Sequence, residues 1–319
     1  MSLTVTDLRV YYRTLRGDVK ALDGVTFTVA DGEIMGLAGE SGSGKSTLGK
    51  SLIRLDGRMR HVGGTVELDG DELPIGDDAR MDAFRFHRVS VIPQYSMSAL
   101  NPTRKIGKMV AELMASRGVR LEPAELERRL DLVGLSREVL DRYPMELSGG
   151  MKQRVVMVIS TLLNPSLLIA DEVTSALDVS SQKAVAGTLL QLRDAGLVTS
   201  MIVVTHDISL VYQIADTIMV MYAGRLAEKA PAGVLVTEPR HPYTKMLISA
   251  LPEVGVRYEE DSRLSGIPGS PPPLLDPPGA AGSATAARSP STGAPSSPRS
   301  WRSAPATPSR AGRRVSERC

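Results

Sequence analysis

Ile34-Met-Gly-Leu-Ala-Gly-Glu-Ser-Gly-Ser-Gly-Lys-Ser-Thr47 is the stretch from which the rest of the chain can be read. Ile34 to Ala38 is a short apolar run, Gly39 to Gly44 a Gly/Ser cluster, and Leu48, Leu52 and Leu55 then recur at helical spacing. That order predicts a strand, a loop and a helix over Lys45 to Leu55. Within it Gly39, Glu40, Ser41, Gly42, Ser43, Gly44, Lys45, Ser46 and Thr47 satisfy G-x-x-x-x-G-K-[ST]. The glycines let backbone N–H groups wrap a β-phosphate and the helix start adds positive dipole. Lys45 neutralises β/γ charge and Ser46 is placed to ligate Mg²⁺. A Gly/Ser surface loop is the plain alternative; the strand and helix on either side speak against it.

Upstream, Leu8, Val10 and Tyr12, then Val25, Phe27 and Val29, alternate with polar residues, which predicts half-buried strands of an antiparallel layer. Downstream, about Arg104 to Met145 is helical in pattern, with Leu126, Leu130 and Val133 on one face and Pro102, Pro123 and Pro144 as punctuation. Leu167 to Ala170 and Met201 to Val204 are β-rich apolar runs separated by a helix-like segment. Alternating strands and helices imply a mostly parallel sheet with ligand chemistry at the strands' C-terminal ends. Thr217 to Tyr222, Ala223-Gly-Arg225 and Leu226 to Glu228 read as a closing hairpin.

Three further stretches carry chemistry. Leu167-Leu-Ile-Ala-Asp-Glu172 sets two carboxylates directly after a buried strand: Asp171 suits Mg²⁺ contact, and Glu172 suits a general base on the attacking water. Such a pair alone is often a solvated turn. His206, in Thr-His-Asp after the next strand, is a turn residue or a γ-phosphate contact. Leu147-Ser-Gly-Gly-Met-Lys-Gln-Arg154 puts Ser148 at an N-cap with Gly149 and Gly150 opening a helix, an anion-friendly end that many proteins have.

Taken together, the P-loop, the LSGG stretch, the Asp-Glu strand, Ser175-Ala-Leu-Asp178 and His206 resemble the ATP-binding cassette proteins, the nucleotide-binding subunits of ABC transporters, over about Met1 to Leu251. The resemblance implies an α/β P-loop NTPase of ABC type: an antiparallel β subdomain, a helical subdomain at about 104–163, an extension over 252–278 and a low-complexity tail over 279–319. It implies ATP and Mg²⁺ as ligands, with Ser46, Gln94 and Asp171 around the metal and Glu172, His206 and Gln94 around the reacting phosphate. Tyr12 is implied to stack on adenine, with Tyr11 the competing choice that periodicity leaves open. Family members work as head-to-tail dimers, which implies that Ser148, Gly149 and Gly150 of one subunit close over the nucleotide held by the other, with Asp178 connecting the two sites. Val173 departs from the family's usual proline, and Tyr95-Ser-Met-Ser-Ala-Leu-Asn-Pro102 keeps the usual Asp-Pro-Met-x-x-Leu-Asn-Pro only in part. Neither departure removes a ligand.

Glu238-Pro-Arg-His-Pro-Tyr-Thr244, with Leu247, Leu251-Pro252 and Ile267-Pro-Gly-Ser-Pro-Pro-Pro-Leu-Leu-Asp-Pro277, resembles the oligopeptide/dipeptide import branch, some members of which carry nickel or other solutes. Read plainly, His241 to Thr244 is a turn before a helix. The resemblance implies integral-membrane permease partners, a second ABC ATPase subunit, an extracytoplasmic substrate-binding protein reached indirectly, and a peripheral place on the cytoplasmic face of the membrane. A soluble ABC ATPase acting on DNA or ribosomes is the rival, but those have two cassettes or coiled-coil arms, and this chain shows one cassette and no heptad arm. A regulatory, non-hydrolysing module is a second rival, against which Glu172 and His206 argue.

Composition agrees. The 319 residues, 42% hydrophobic and 23% charged, suffice for a full core. No apolar run approaches the roughly 18 residues of a membrane-spanning helix, and the first residues carry no export leader. Cys319 is the only cysteine, which excludes an internal disulfide or a cysteine metal cluster within this sequence. Seven of the 38 basic and one of the 36 acidic residues fall in 279–319, so the remainder carries a net −4 against +2 for the whole. That gives no footing to a nucleic-acid partner.

The tail is Pro/Ala/Ser/Gly/Arg-rich, a composition expected to stay disordered. The import branch continues with Cys-x-Phe-x-x-Arg-Cys-Pro and Gly-His-x-Val-x-Cys, both absent here. Read one base out of frame, Ala280 to Pro290 permits Cys-Arg-Phe-Arg-Asp-Arg-Cys-Pro-Glu-Ala and Pro305 to Ala311 permits Gly-His-Ala-Val-Ala-Cys. The tail therefore reads as an out-of-frame extension, which resequencing of the gene decides.

Overall fold

The computed structural model describes residues 3–94, 96–175, 177–250 and 274–275. Tyr95, Ala176, most of the 252–278 extension and the tail with its out-of-frame reading lie outside these residues.

The alternating N-terminal stretches form β1 (Leu3–Thr14) and β2 (Gly17–Val29), paired antiparallel. With β4 (Met59–Leu68) and β5 (Asp71–Glu72) they make a four-stranded antiparallel sheet in the order β2-β1-β4-β5. Between them run β3 (Ile34–Ala38) and α1 (Lys45–Ser51). The helix ends before Leu55, shorter than the leucine spacing predicts, because Leu52 closes it as a C-cap. Next come α2 (Asp78–Met81) and β6 (Val89–Ile92).

The predicted helical stretch resolves into α3 (Ile106–Ser116), α4 (Pro123–Leu132) and two single 3₁₀ turns at Arg137–Asp141 and Pro144–Glu146. Pro123 opens α4 at a position where a missing N–H costs nothing. α5 (Gly149–Thr161) leads to β7 (Leu167–Asp171), α6 (Val179–Asp194), β8 (Ser200–Val204) and α7 (Ile208–Ile214). β9 (Thr217–Tyr222) and β10 (Arg225–Pro231) form the closing hairpin, with Ala223 at φ 50° and Gly224 at φ 76° in its two-residue turn. α8 (Ala232–Thr237) and α9 (Pro242–Ser249) follow.

The second sheet has the order β10-β9-β3-β8-β7-β6 and is parallel from β9 to β6. Its central strands β3, β7 and β8 are buried throughout, as unbroken apolar runs in parallel sheets are. The two-residue side-chain period divides them between two cores. Leu167, Ile169, Ile202 and Val204 pack with the antiparallel sheet and with Leu48 and Leu52 of α1. Leu168, Ala170, Met201 and Val203 pack with α3 to α6 through residues such as Ile106, Leu130, Met157 and Leu189. Each buried Leu, Ile, Val or Met side chain among them contributes about 1.5–3 kcal/mol. A third cluster joins Val220 of β9 to Val211, Leu235 and Tyr243 of α7, α8 and α9. The C-terminal ends of β3, β7 and β8 thus lie side by side, and their connecting loops face the same end of the sheet.

Candidate active site

The loop after β3 wraps tightly. Gly44 caps α1 at φ 107°, and a Cβ there would come within 2.4 Å of the Ala21 carbonyl oxygen. Gly39, at φ 138°, leaves the same clearance to the Met221 carbonyl oxygen. No side chain fits at either position in this conformation. Lys45 is buried, and its Nζ donates to the carbonyl oxygens of Gly39 and Glu40, both at 2.7 Å. Burial lowers its pKa, and the carboxylates of Glu172, Asp171 and Glu40 oppose that shift. The ammonium therefore sits in a poorly solvated place facing negative charge, suited to an anion with several oxygens.

A cleft of about 250 Å³ opens on this loop, lined by Tyr12, Val19, Ala21, Ser41, Gly42, Gly44, Lys45, Ser46, Thr47, Glu172 and Leu274. Tyr12 and Tyr11 separate clearly. The Tyr12 hydroxyl lies 3.3 Å from Thr47 Oγ1, on the cleft wall. Tyr11 donates to Asp23 Oδ1 at 2.8 Å, and Asp23 is also held by Arg225.

The acidic pair ends β7. The Glu172 backbone is left-handed, φ 46°, an arrangement that costs a non-glycine residue about 1–3 kcal/mol and tends to occur where function needs it. Its N–H donates to the Val204 carbonyl at 2.8 Å, and Ser175 Oγ donates to its carbonyl at 2.8 Å. Gln94 Nε2 donates to Glu172 Oε2 at 2.6 Å, so the loop after β6 and the acidic pair already touch. Val173, in the place of proline, is buried, and its carbonyl accepts from Gln153 of α5.

Asp171 is buried, and its Oδ1 has no hydrogen-bond partner among the described residues. Burial and then Glu172 raise its pKa, against Lys50 and Lys45. An orphaned buried carboxylate oxygen beside a second carboxylate is what a hard cation with oxygen ligands fits, so the residues present suit Mg²⁺. The described residues hold no cluster of three or more His, Cys, Asp or Glu side chains for a metal, so further ligands to a cation there would be hydroxyls, amides or phosphate oxygens.

Gln94 and Asp171 lie outside the cleft lining, as do Gly39, Glu40 and Ser43 of the loop itself, and three further predicted groups stay out of it as well. His206 is exposed just beyond β8. Ser148 caps α5, accepting from the Met151 N–H at 3.3 Å, and both it and Gly150 face solvent, with Gly149 half-buried. Asp178 caps α6, accepting from the Ser181 N–H and from the hydroxyls of Ser180 and Ser181, bonds that hold its carboxyl well below the usual range. Sequence reasoning missed Gln153 and Tyr243. Gln153 carries no signal beyond its place in the LSGG helix, and Tyr243 carries none beyond the importer motif.

Residues 22–175 match the ABC transporter family, and residues 227–289 match the family described as oligopeptide/dipeptide transporter, C-terminal region. A putative peptide import ATP-binding protein of Brucella melitensis is 40% identical over 285 residues, covering 87% of this chain and 84% of that protein. The chain belongs to the ABC transporter family. It is one of that family's ATP-binding subunits, whose activity is ATP hydrolysis coupled to transport. The oligopeptide transport ATP-binding protein OppD of Salmonella typhimurium is 39% identical over 278 residues, covering 86% of this chain and 82% of its own. The fold is similar to that of the ATP-binding cassette MJ0796 in its dimeric structure, with 24% identity, a TM-score of 0.62, and coverage of 72% of this chain and 98% of that one. A post-hydrolysis dimer of the same cassette, bound to ADP and Pi, gives a TM-score of 0.61 at 23% identity. Among the described residues no helix is long and apolar enough to cross a membrane.

Proposed function

We propose that this chain is the ATP-hydrolysing subunit of an importer for oligopeptides or dipeptides. The observation that carries the substrate class is the match of residues 227–289 to the oligopeptide/dipeptide transporter C-terminal region, alongside relatives whose names specify peptide import. In this reading residues 1–251 form the cassette, with the helical subdomain at about 104–163, and 252–278 the branch-specific extension.

The cleft takes ATP. Tyr12 stacks on adenine, and the backbone amides of the loop from Gly39 to Thr47 and the Lys45 ammonium take the β- and γ-phosphates, Lys45 keeping the Gly39 carbonyl on another of its three donors. Ser46, Gln94 and Asp171 would hold Mg²⁺, which would supply positive charge against the charge developing on the phosphates. Glu172 accepts the proton of the attacking water as the bond from the γ-phosphorus to the bridging oxygen breaks, giving ADP and phosphate. His206 contacts the γ-phosphate. Ser148, Gly149 and Gly150 do not line the cleft that holds Lys45, which supports a head-to-tail pair in which a second ATPase subunit supplies them, with Asp178 joining the two sites. Closure and reopening of that pair drives membrane-spanning permeases from the cytoplasmic face, with an extracytoplasmic binding protein delivering the solute.

The test is ATPase stimulation of the complex, purified with its membrane partners and binding protein, across a series of peptides and metal chelates. Stimulation by peptides alone is expected. Stimulation only by metal chelates contradicts the substrate class while leaving the ATPase intact.

A further inference from the structure

The motif Glu238-Pro-Arg-His-Pro-Tyr-Thr244, which the mechanism above leaves unused, is built around one contact with the P-loop. Glu228 of β10 accepts from the N–H groups of Arg240 and His241, both at 2.9 Å, and His241 caps α9 by accepting from the Tyr243 N–H at 3.2 Å. These bonds aim Tyr243 inward. The Tyr243 side chain is fully buried, its ring 4.5 Å from that of Tyr222. Its hydroxyl oxygen accepts from the N–H of Glu40 at 2.9 Å, across 203 residues of sequence. Burial pushes the Tyr243 pKa up to about 12, so the hydroxyl stays neutral.

Glu40 N–H and Gly39 C=O belong to one peptide unit. Its N–H end is held by Tyr243, and its C=O end accepts from Lys45 Nζ at 2.7 Å. Hydrogen bonds at the two ends of one peptide group polarise each other. A buried donor left without its acceptor is destabilised, so the peptide has reason to keep this orientation.

We propose that Tyr243 is a positioning residue for the nucleotide's phosphates, orienting the Gly39–Glu40 peptide and through it the Lys45 ammonium. The inference rests on reading the P-loop as the ATP site. It assigns the tyrosine of the importer motif a role at the phosphates, where its place in the sequence, beyond the hairpin, gives no hint of one.

The experiment is a double-mutant cycle in the full chain, with ATP affinity measured by titration for the wild type, Tyr243→Phe, Lys45→Ala and the pair. Tyr243→Phe keeps the ring and its packing on Tyr222 and removes only the acceptor. ATP affinity is expected to fall roughly two- to ten-fold, the worth of one hydrogen bond, with KM for ATP rising in step and kcat nearly unchanged. In the Lys45→Ala background the same substitution is expected to have no further effect. Thr244→Val, equally buried on the same helix, is expected to leave affinity alone. An unchanged affinity for Tyr243→Phe, an equal loss in both backgrounds, or the same loss in Thr244→Val overturns the inference while the wild type still binds ATP. Absence of ATP binding by the wild type overturns the nucleotide reading and the inference with it. A second measurement needs no variant: the Glu40 amide of the nucleotide-free wild type should be protected from hydrogen exchange, and exchange at solvent rates contradicts the contact.

Discussion

Gln94 Nε2 donates to Glu172 Oε2 at 2.6 Å, which ties the loop after β6 to the carboxylate that ends β7. The carboxylate proposed to deprotonate water is thus already engaged by a residue of a different loop. Water activation requires that oxygen, or its neighbour, to turn to the attacking water. Glu172→Gln keeps size and removes basicity, so kcat should fall by ~10²–10⁴ with ATP affinity retained. Single-turnover hydrolysis beside equilibrium ATP binding separates the two.

The wall formed by Tyr12 gives a second expectation. Tyr12→Ala should weaken ATP binding by about 1–3 kcal/mol, the usual worth of a base stacked on an aromatic ring. Tyr11→Phe should leave nucleotide affinity unchanged, because the Tyr11 hydroxyl serves Asp23. Comparing ATP affinity in the two variants checks both.

The clearance at Gly44 gives a third. A methyl group there would meet the Ala21 carbonyl at 2.4 Å on a backbone held at φ 107°. Gly44→Ala should abolish ATP binding and lower the melting temperature, whereas Gly57→Ala, whose added methyl meets nothing within 4 Å, should spare binding. Thermal melting with and without ATP reads both effects.

Acid stability gives a fourth. Glu125 bonds Arg128 at 2.8 Å and the buried Arg129 at 2.7 Å, and these guanidiniums, Arg128 foremost, hold its pKa down to about 2. A lowered folded-state pKa contributes stability above the unfolded value of 4.5, and that contribution is lost as pH falls from about 4.5 to 2. Glu125→Gln should therefore cost about 1–3 kcal/mol at pH 7 by leaving Arg129 with fewer partners. The gap between the variant and the wild type should narrow steadily as the melts are taken below pH 4.5.

How far the sequence carried the reading follows from the range of each signal. Local periodicity and spacing gave the P-loop, the buried strands at β7 and β8 and the hairpin turn at Ala223-Gly224, because each is decided by a few adjacent residues. β4 and β6 carry little local signal: β4 mixes Gly63 and Gly64 into its run, and β6 is only four residues long. Tyr11 and Tyr12 both lie on β1, and only the fold decides which faces the cleft. Gln94 with Glu172, Gln153 with Val173 and Tyr243 with Glu40 are joined across 78, 20 and 203 residues. No local pattern reports such pairings, since each depends on which loops the parallel sheet brings together.

One protomer is proposed to bind ATP and a second to complete the site, since Ser148 and Gly150 are exposed and outside the lining of the cleft that holds Lys45. The direct measurement is specific ATPase activity against protein concentration, with oligomeric state followed by light scattering and ATP affinity measured in parallel. ATP binding is expected to persist in the monomer, with an apparent affinity that rises where cassettes pair because the second protomer also contacts the nucleotide, and specific activity is expected to rise with pairing, alone or with an added partner ATPase. A specific activity that stays constant and substantial where the protein is wholly monomeric contradicts it.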